Sequence, residues 1–378
     1  MHGIYEHLRK NRKKLICLAS IIGGSYIAFK ITRYLHSNSI KCQVNSSLDF
    51  KMQKAQYFQS MLNNALDTIE NILKNVENEI ESSVDLENVA RSLGFIYVKT
   101  SQSVDYNKQQ YASLSTDEKL ELLKKFKVLS FTKLTLLMYS WAFICISIHI
   151  QMSILAGNLF QSRNASPGYF GIFSTFYEII FPSKVRFKPI DEKSKLEFLN
   201  FTLQILKSQI SDWYNIIHKS SAKIVEPISL KHMLTSDNVF DIFDQIRDEV
   251  HSNILERFIN KIQLQTSSKP IETDVYALFA NIFESSGVGQ FNQFISVLSQ
   301  QISLSLNRKI NSLKKNDDKP ETVGKIQLAK LVPFIWTSFI NENNKISIFN
   351  SIRGYFETPQ FRFMLFNSYE NSMDKMSI

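Results

Sequence analysis

From about Leu48 to the end of the chain, apolar residues return at intervals of three and four, and few helix-breaking residues stand among them. Ala55, Phe58, Leu62, Leu66, Ile69, Leu73, Val76 and Ile80 form one such stripe, the signature of a helix with a buried face. Leu196, Leu199, Leu203, Leu206, Ile210, Trp213 and Ile217 form a second, and Val239, Phe243, Ile246, Val250 and Ile254 a third. Ser286–Lys314 and Lys325–Ile340 are further helix candidates. No run alternates with period two for long enough to make a convincing strand. The chain holds 11 Gly and 8 Pro in 378 residues, against about 26 and 19 at average usage. Sandwiches, barrels and dinucleotide-binding folds need glycine-rich turns, so their absence points to an all-α protein. Hydrophobic residues at 44% and charged residues at 21% are globular proportions, not those of a disordered chain.

The breaks between helices are polar: Ser162–Gly168, Pro182–Asp191, Thr266–Thr273 and Lys315–Thr322. Between them lies Thr135–Phe160, which contains no Asp, Glu, Lys or Arg. Two readings fit a segment apolar nearly all round: a membrane span, or the central helix of a large helical domain. Tyr139, Ser140, Ser147, His149, Gln151, Ser153 and Asn158 are too polar to face lipid, which favours the central helix.

The net charge of +9 is not spread over the chain. Residues 1–41 hold eight basic residues against Glu6 alone, so seven of the nine net charges lie there. A nucleic-acid-binding body spreads its basic face over the folded part, so nucleic acid is not the expected partner. Arg9, Lys10, Arg12, Lys13 and Lys14 abut the uncharged run Leu15–Phe29. Fifteen helical residues rise about 22 Å, short of a hydrocarbon core of roughly 30 Å. Lys14 and Lys30 can snorkel, and Ile31 can extend the apolar surface. A cleaved signal peptide would need small residues where Lys30 and Arg33 stand. A buried helix would carry Gly23-Gly24 in its middle at about 1 kcal/mol each. A single-span anchor over 15–31 accommodates both features. The charge flanks alone would leave the N-terminus in the cytosol.

No phosphate-binding loop, dinucleotide fingerprint, HExxH, CxxC or GxSxG occurs. Cys17 lies in the candidate anchor, Cys42 and Cys145 have no cysteine or histidine at metal-ligand spacing, and three cysteines cannot staple a chain of this size. No metal or cofactor is therefore expected. His149 reads as a hydrogen-bonded core histidine, and His218, His232 and His251 fall on separate segments. An enzyme whose site is assembled only in the fold leaves no local trace, and that alternative stays open.

Several short blocks resemble one family. Lys13-Lys14-Leu15 followed by Ile22-Gly23-Gly24-Ser25-Tyr26-Ile27-Ala28-Phe29-Lys30 is similar to the basic run and LGGxYxxxK segment that open peroxin-3 proteins. Lys119-Leu120-Glu121-Leu122-Leu123 and Phe126-Lys127-Val128-Leu129-Ser130-Phe131-Thr132-Lys133 resemble the family's KLExW…LKxxSFTR block. His149-Ile150-Gln151-Met152 stands at its RxQL, Ser229-Leu230-Lys231-His232 at its SLKH, and Leu328-Ala329-Lys330-Leu331-Val332-Pro333 at its LAKxxP. The blocks keep family order and bracket nearly the whole chain.

The resemblance implies a non-enzymatic docking protein: a large elongated helical bundle on one N-terminal transmembrane helix. Its parts would be a basic targeting segment (1–14), the anchor (15–31), a linker (32–47) and a cytosolic helical domain (48–374). It further implies a single-pass protein of the peroxisomal membrane, inserted there directly or by way of the endoplasmic reticulum, with its body in the cytosol. That orientation is opposite to the charge-flank reading and follows the family. The implied partner is peroxin-19, whose amphipathic N-terminal helix enters an apolar groove; the membrane lipids are the other. The expected groove residues are Lys119, Leu120, Leu123, Phe126, Lys127 and Lys330, with the five basic residues 9, 10 and 12–14 serving targeting. Leu123 stands where the family has tryptophan, a loss of aromatic area and of an indole N–H. Without the resemblance, Leu123 and Phe126 read as ordinary core, and Lys119 and Lys330 as solvated charges. A membrane-anchored tether for cytoskeletal or autophagy machinery is the runner-up.

Overall fold

The computed structural model describes residues 50–66, 68–98, 103–106, 114–165, 192–267, 274–314, 326–337 and 342–374. The basic cluster, the anchor and the linker expected at residues 1–47 lie outside these, as do most of the polar breaks. By internal packing the chain divides into Met1–Tyr57, of which 50–57 are helical, and Phe58–Ile378. The second unit is described from here on.

Its described residues are overwhelmingly helical. In order they form α1 (58–66 and 68–83), α2 (Leu86–Ser92), α3 (Thr116–Ala165), α4 (Glu192–Val225), α5 (Ser236–Ser267) and α6 (Asp274–Ile282). A π-helical turn, Phe283–Gly287, leads directly into α7 (Val288–Lys314). The last helices are α8 (Leu328–Thr337), α9 (Glu342–Phe356) and α10 (Pro359–Asp374). The all-α expectation holds. Two short antiparallel pairings accompany the helices: β1 (Phe95–Val98) with β2 (Ser103–Tyr106), and β3 (Met233–Leu234) with β4 (Ile326–Gln327). At four and two residues a strand shows too little alternation to be read from sequence. Gly94, at φ 76°, turns the chain from α2 into β1 in the left-handed region that glycine enters without penalty.

α3 is the axis of the unit. It begins at a capping box: the Ser115 N–H donates to Glu118 Oε2 (2.8 Å), and the Glu118 N–H to Ser115 Oγ (3.3 Å). It then runs 50 residues, about 75 Å at helical rise. α4, α10, α8, α7 and α2 pack along it. Its most apolar stretch is long enough to cross a membrane, yet 89% of that stretch is buried against the other helices. A span would turn those side chains to lipid, so the central-helix reading is the one the packing supports. Several of the polar residues on α3 have protein partners, although the Thr135, Ser140 and Ser147 hydroxyls are buried without one among the described residues. Gln151 donates to the Phe198 carbonyl and accepts from Thr202 Oγ1 at 2.8 Å. Ser130 and Ser153 each donate to the carbonyl four residues back. His149 donates from Nδ1 to the Cys145 carbonyl at 2.7 Å and lies between Phe356 and Phe361, as a core histidine should.

The stripes of α1 and α5 are buried as their spacing predicts: Leu62, Ile69, Leu73, Val76 and Ile80 in one, and Val239, Phe243, Ile246, Val250 and Ile254 in the other. α4 departs in its first half. Leu196 is 61% exposed, while Phe198, Phe201 and Ile205 are buried. The two phenylalanines carry more apolar area than the leucines and pack edge-on against Tyr276 and Phe279 of α6. That larger burial rotates the helix away from the leucine stripe. Further along, Trp213 joins Phe143, Phe258 and Phe283 in one aromatic cluster, with Phe143 and Phe258 centroids 4.1 Å apart.

Two predictions follow from the packing on α3. A methyl group added at Gly157 would collide with Ser372 Oγ and the Tyr369 carbonyl of α10. Because one obstacle is backbone, Gly157→Ala must push the helices apart and should cost about 1–3 kcal/mol in urea unfolding. Burial brings His149 down to about 4, with the bond to the Cys145 carbonyl opposing the shift. The fold therefore disfavours the imidazolium, and stability is full above the ordinary value of about 6.5. It should fall as pH drops from 6.5 toward 4, by about 2 kcal/mol at pH 5. Comparison of the native chain with His149→Gln over that range isolates this contribution.

Candidate functional site

The N-terminal turns of α3 carry the KLE…SFTK block, and their burial changes steadily along one face. Leu120 is 46% exposed, Leu123 is half-buried and Phe126 is fully enclosed. The expected apolar stripe thus descends from the surface into the core. Lys119 is half-buried, and Leu122 beside it likewise. Lys125 pairs loosely with Asp85 at 3.8 Å, both well exposed. Deeper, Lys133, 6% exposed, meets Glu81 at 3.1 Å. These pairs hold the end of α1 and the start of α2 alongside α3.

Lys127 is placed differently from the expectation. It is 1% exposed, and its Nζ donates to the Glu226 carbonyl at 3.2 Å and to the Ile228 carbonyl at 2.7 Å. Phe126 and Lys127 therefore offer no surface to a partner: one is core, the other holds backbone. Burial brings the Lys127 ammonium below the usual lysine range, with Glu226 opposing the shift. The physical reason for the inward turn is the end of α4. That helix stops at Val225, and its last carbonyls and those just after it need donors. A cation there also complements the negative end of the helix dipole.

The held segment leads to the other blocks. The His232 N–H donates to the Ser229 carbonyl at 2.9 Å, within the SLKH block. The Leu328 N–H then donates to the His232 carbonyl and the Ala329 N–H to the Leu230 carbonyl, both at 3.0 Å. β3 and β4 continue the pairing with Met233 opposite Gln327 and Leu234 opposite Ile326. Two blocks far apart in the sequence, SLKH and LAKLVP, are thus joined directly by hydrogen bonds, and Lys127 of the KLE…SFTK block bonds to the connection just ahead of SLKH. Lys330 is exposed on the first turn of α8, while Leu328, Leu331 and Val332 are buried. Ile228, Leu230 and Met233 are half-buried here. None was singled out by periodicity, since they lie in a connection. The adjacent SLKH match was the available signal.

Charges of both signs stand on these segments: Lys124, Lys231 and Lys330 are exposed, and so are Glu118, Glu121 and Glu226. Bonds to Ser115 hold the Glu118 carboxyl below the usual carboxylate range. His218, on the flank of α4, is pushed down by burial, with Glu226 opposing it. Among the described residues no cluster of His, Cys, Asp or Glu is arranged to hold a metal ion. The junction offers an apolar strip with flanking charges, the chemistry of a peptide-docking surface. The targeting residues Arg9, Lys10, Arg12, Lys13 and Lys14 lie outside the described residues.

No family model matches the chain. Among curated proteins it is similar to human "Peroxisomal biogenesis factor 3", 22% identical over 273 residues, which cover 72% of this chain and 62% of the human protein. The Bos taurus protein of the same name is 22% identical over 258 residues, 68% of this chain and 59% of its own length. "Peroxisome biogenesis protein 3-2" of Arabidopsis thaliana is 23% identical over 158 residues, 40% of each chain. The matched region is thus less than two thirds of the length of these relatives. Low identity spread over most of the chain agrees with short matched blocks separated by divergent sequence: the chain is a divergent relative of the peroxisomal biogenesis factor 3 proteins.

Proposed function

We propose that this protein acts in peroxisome biogenesis as a non-enzymatic docking receptor, anchored in the peroxisomal membrane through residues 15–31 with its helical body in the cytosol. Its partner is peroxin-19, the soluble carrier of newly made membrane proteins, received as an amphipathic helix. The observation that carries the docking reading is the junction itself. Hydrogen bonds tie SLKH to LAKLVP and Lys127 to the connection just ahead of SLKH, while Leu120 is exposed and Leu123 half-buried, two turns and one turn before Lys127 on α3. A peptide helix laid on this strip would bury its apolar face against Leu120, Leu123 and the half-buried Ile228 and Leu230, with Lys119 and Lys330 bordering it. With leucine at position 123, the pocket is filled by aliphatic rather than aromatic surface.

Titration with a peroxin-19 N-terminal peptide tests this reading. Leu123→Asp places a carboxylate where the peptide's apolar face must be desolvated, and should weaken binding on the order of 100-fold. Lys330→Glu acts at an exposed rim, where an ion pair contributes about 1 kcal/mol or less, so a loss of a few fold, relieved by salt, is expected. Circular dichroism establishes that each variant is folded. Undiminished binding by folded Leu123→Asp would move the docking site elsewhere. For the anchor, residues 1–35 fused to a reporter should bring it to peroxisomes, and a copy lacking residues 1–40 should be released from membranes. Retention of that truncated copy as an integral membrane protein would overturn the assignment of Thr135–Phe160 to the core.

A further inference from the structure

We infer that Lys127 is a positioning residue for the docking junction: from inside the fold its ammonium fixes the connection after α4, and through that connection the start of α8 with Lys330. The inference rests on the docking reading above and assigns Lys127 a role different from direct contact with the partner.

A buried ammonium must find acceptors, and two of the three donors of Lys127 are spent on the Glu226 and Ile228 carbonyls. The connection they belong to has little else to hold it. Glu226, Pro227, Ser229, Lys231 and His232 are exposed, Ile228 and Leu230 are half-buried, and only Leu234 near its end is deeply buried. Its internal bonds, Ile228 N–H to Val225 carbonyl and His232 N–H to Ser229 carbonyl, shape the turn but do not attach it to α3. Lys127 makes that attachment. The next bonds along the connection are the ones that reach α8, from Leu328 and Ala329 to the carbonyls of His232 and Leu230. One side chain on α3 is therefore the first link in a series ending one residue before Lys330. Leu120 and Leu123 stand on α3 itself and α8 also packs on α3 directly, so what the link sets is the placement of the connection and of the first residues of α8 that bond to it.

The test uses the full chain with Lys127→Met, which keeps the length and removes the donors; Lys127→Gln, which keeps one donating group; and Lys127→Arg, which restores a cationic donor. Amide hydrogen exchange at Leu328 and Ala329 reads the attachment directly and needs no partner. In Lys127→Met these two amides should exchange about tenfold faster or more, as expected when a buried bonded cation is lost, while amides in the middle of α3 and α5 keep their protection. Lys127→Gln should fall between, and Lys127→Arg should return toward the native rate. Binding of the peroxin-19 peptide should weaken in the same order, and Leu123→Asp should weaken it without accelerating exchange at Leu328 and Ala329. If Lys127→Met fails to fold, the Gln and Arg variants carry the comparison. Unchanged exchange at the two amides overturns the inference, as does faster exchange with unchanged peptide affinity. Absence of peptide binding by the native chain would overturn the docking reading and the positioning role with it. The exchange rates would then still show whether Lys127 holds the connection.

Discussion

Enclosing a 50-residue helix that carries polar side chains is the constraint on which the rest of this fold depends. An apolar helix can be covered in many registers, but one with Gln151, His149 and Lys127 in its interior cannot. Each buried polar group left without a partner costs about 1–3 kcal/mol. Gln151 is satisfied only when Phe198 and Thr202 stand opposite it, and Lys127 only when the end of α4 arrives beside it. Together with Phe143 against Trp213 midway, these contacts fix α4 antiparallel to α3 in one register.

That register explains where the candidate site lies. α4 ends at Val225, beside Lys127, whereas α3 begins at Thr116. The turns of α3 ahead of Lys127 continue past the end of its main neighbour. The apolar strip Leu120–Leu123–Phe126 is open at one end and sealed at the other because of this overhang, not because of any change in its own pattern.

Much of this was legible in the sequence, and the misses have definite causes. Spacing gave the faces of α1 and α5, because the large buried side chains of α5, Phe243 and Phe258, fall on the same stripe as its valines and isoleucines. It failed in α4, where Phe198 and Phe201 outweigh a well-formed leucine stripe. Polarity separated the central helix from a membrane span, since Ser, His and Gln on α3 bond to protein groups. Lys127 is expected at the groove because it stands in the block that resembles the family, and the structure places it in the interior instead. Nothing local shows that two carbonyls about a hundred residues away will meet it. Proximity of SLKH to LAKLVP was likewise invisible to periodicity, being made by backbone bonds between connections.

The two bonds of Lys127 join residues 99 and 101 positions apart, and the β3–β4 pair that extends the junction is similarly remote in sequence. Contacts of such long range form only after the loops they close have lost their freedom. The helices α1, α3, α4 and α5 can each bury a face against a near neighbour, but the junction has no local precursor. Like the packing of α10 on α3, which is just as remote in sequence, it is expected to form late as the chain folds. On the docking function proposed above, a nascent or partly folded copy would display apolar helices before it displays a place to dock, and competence to receive a partner would come only with completion of the fold.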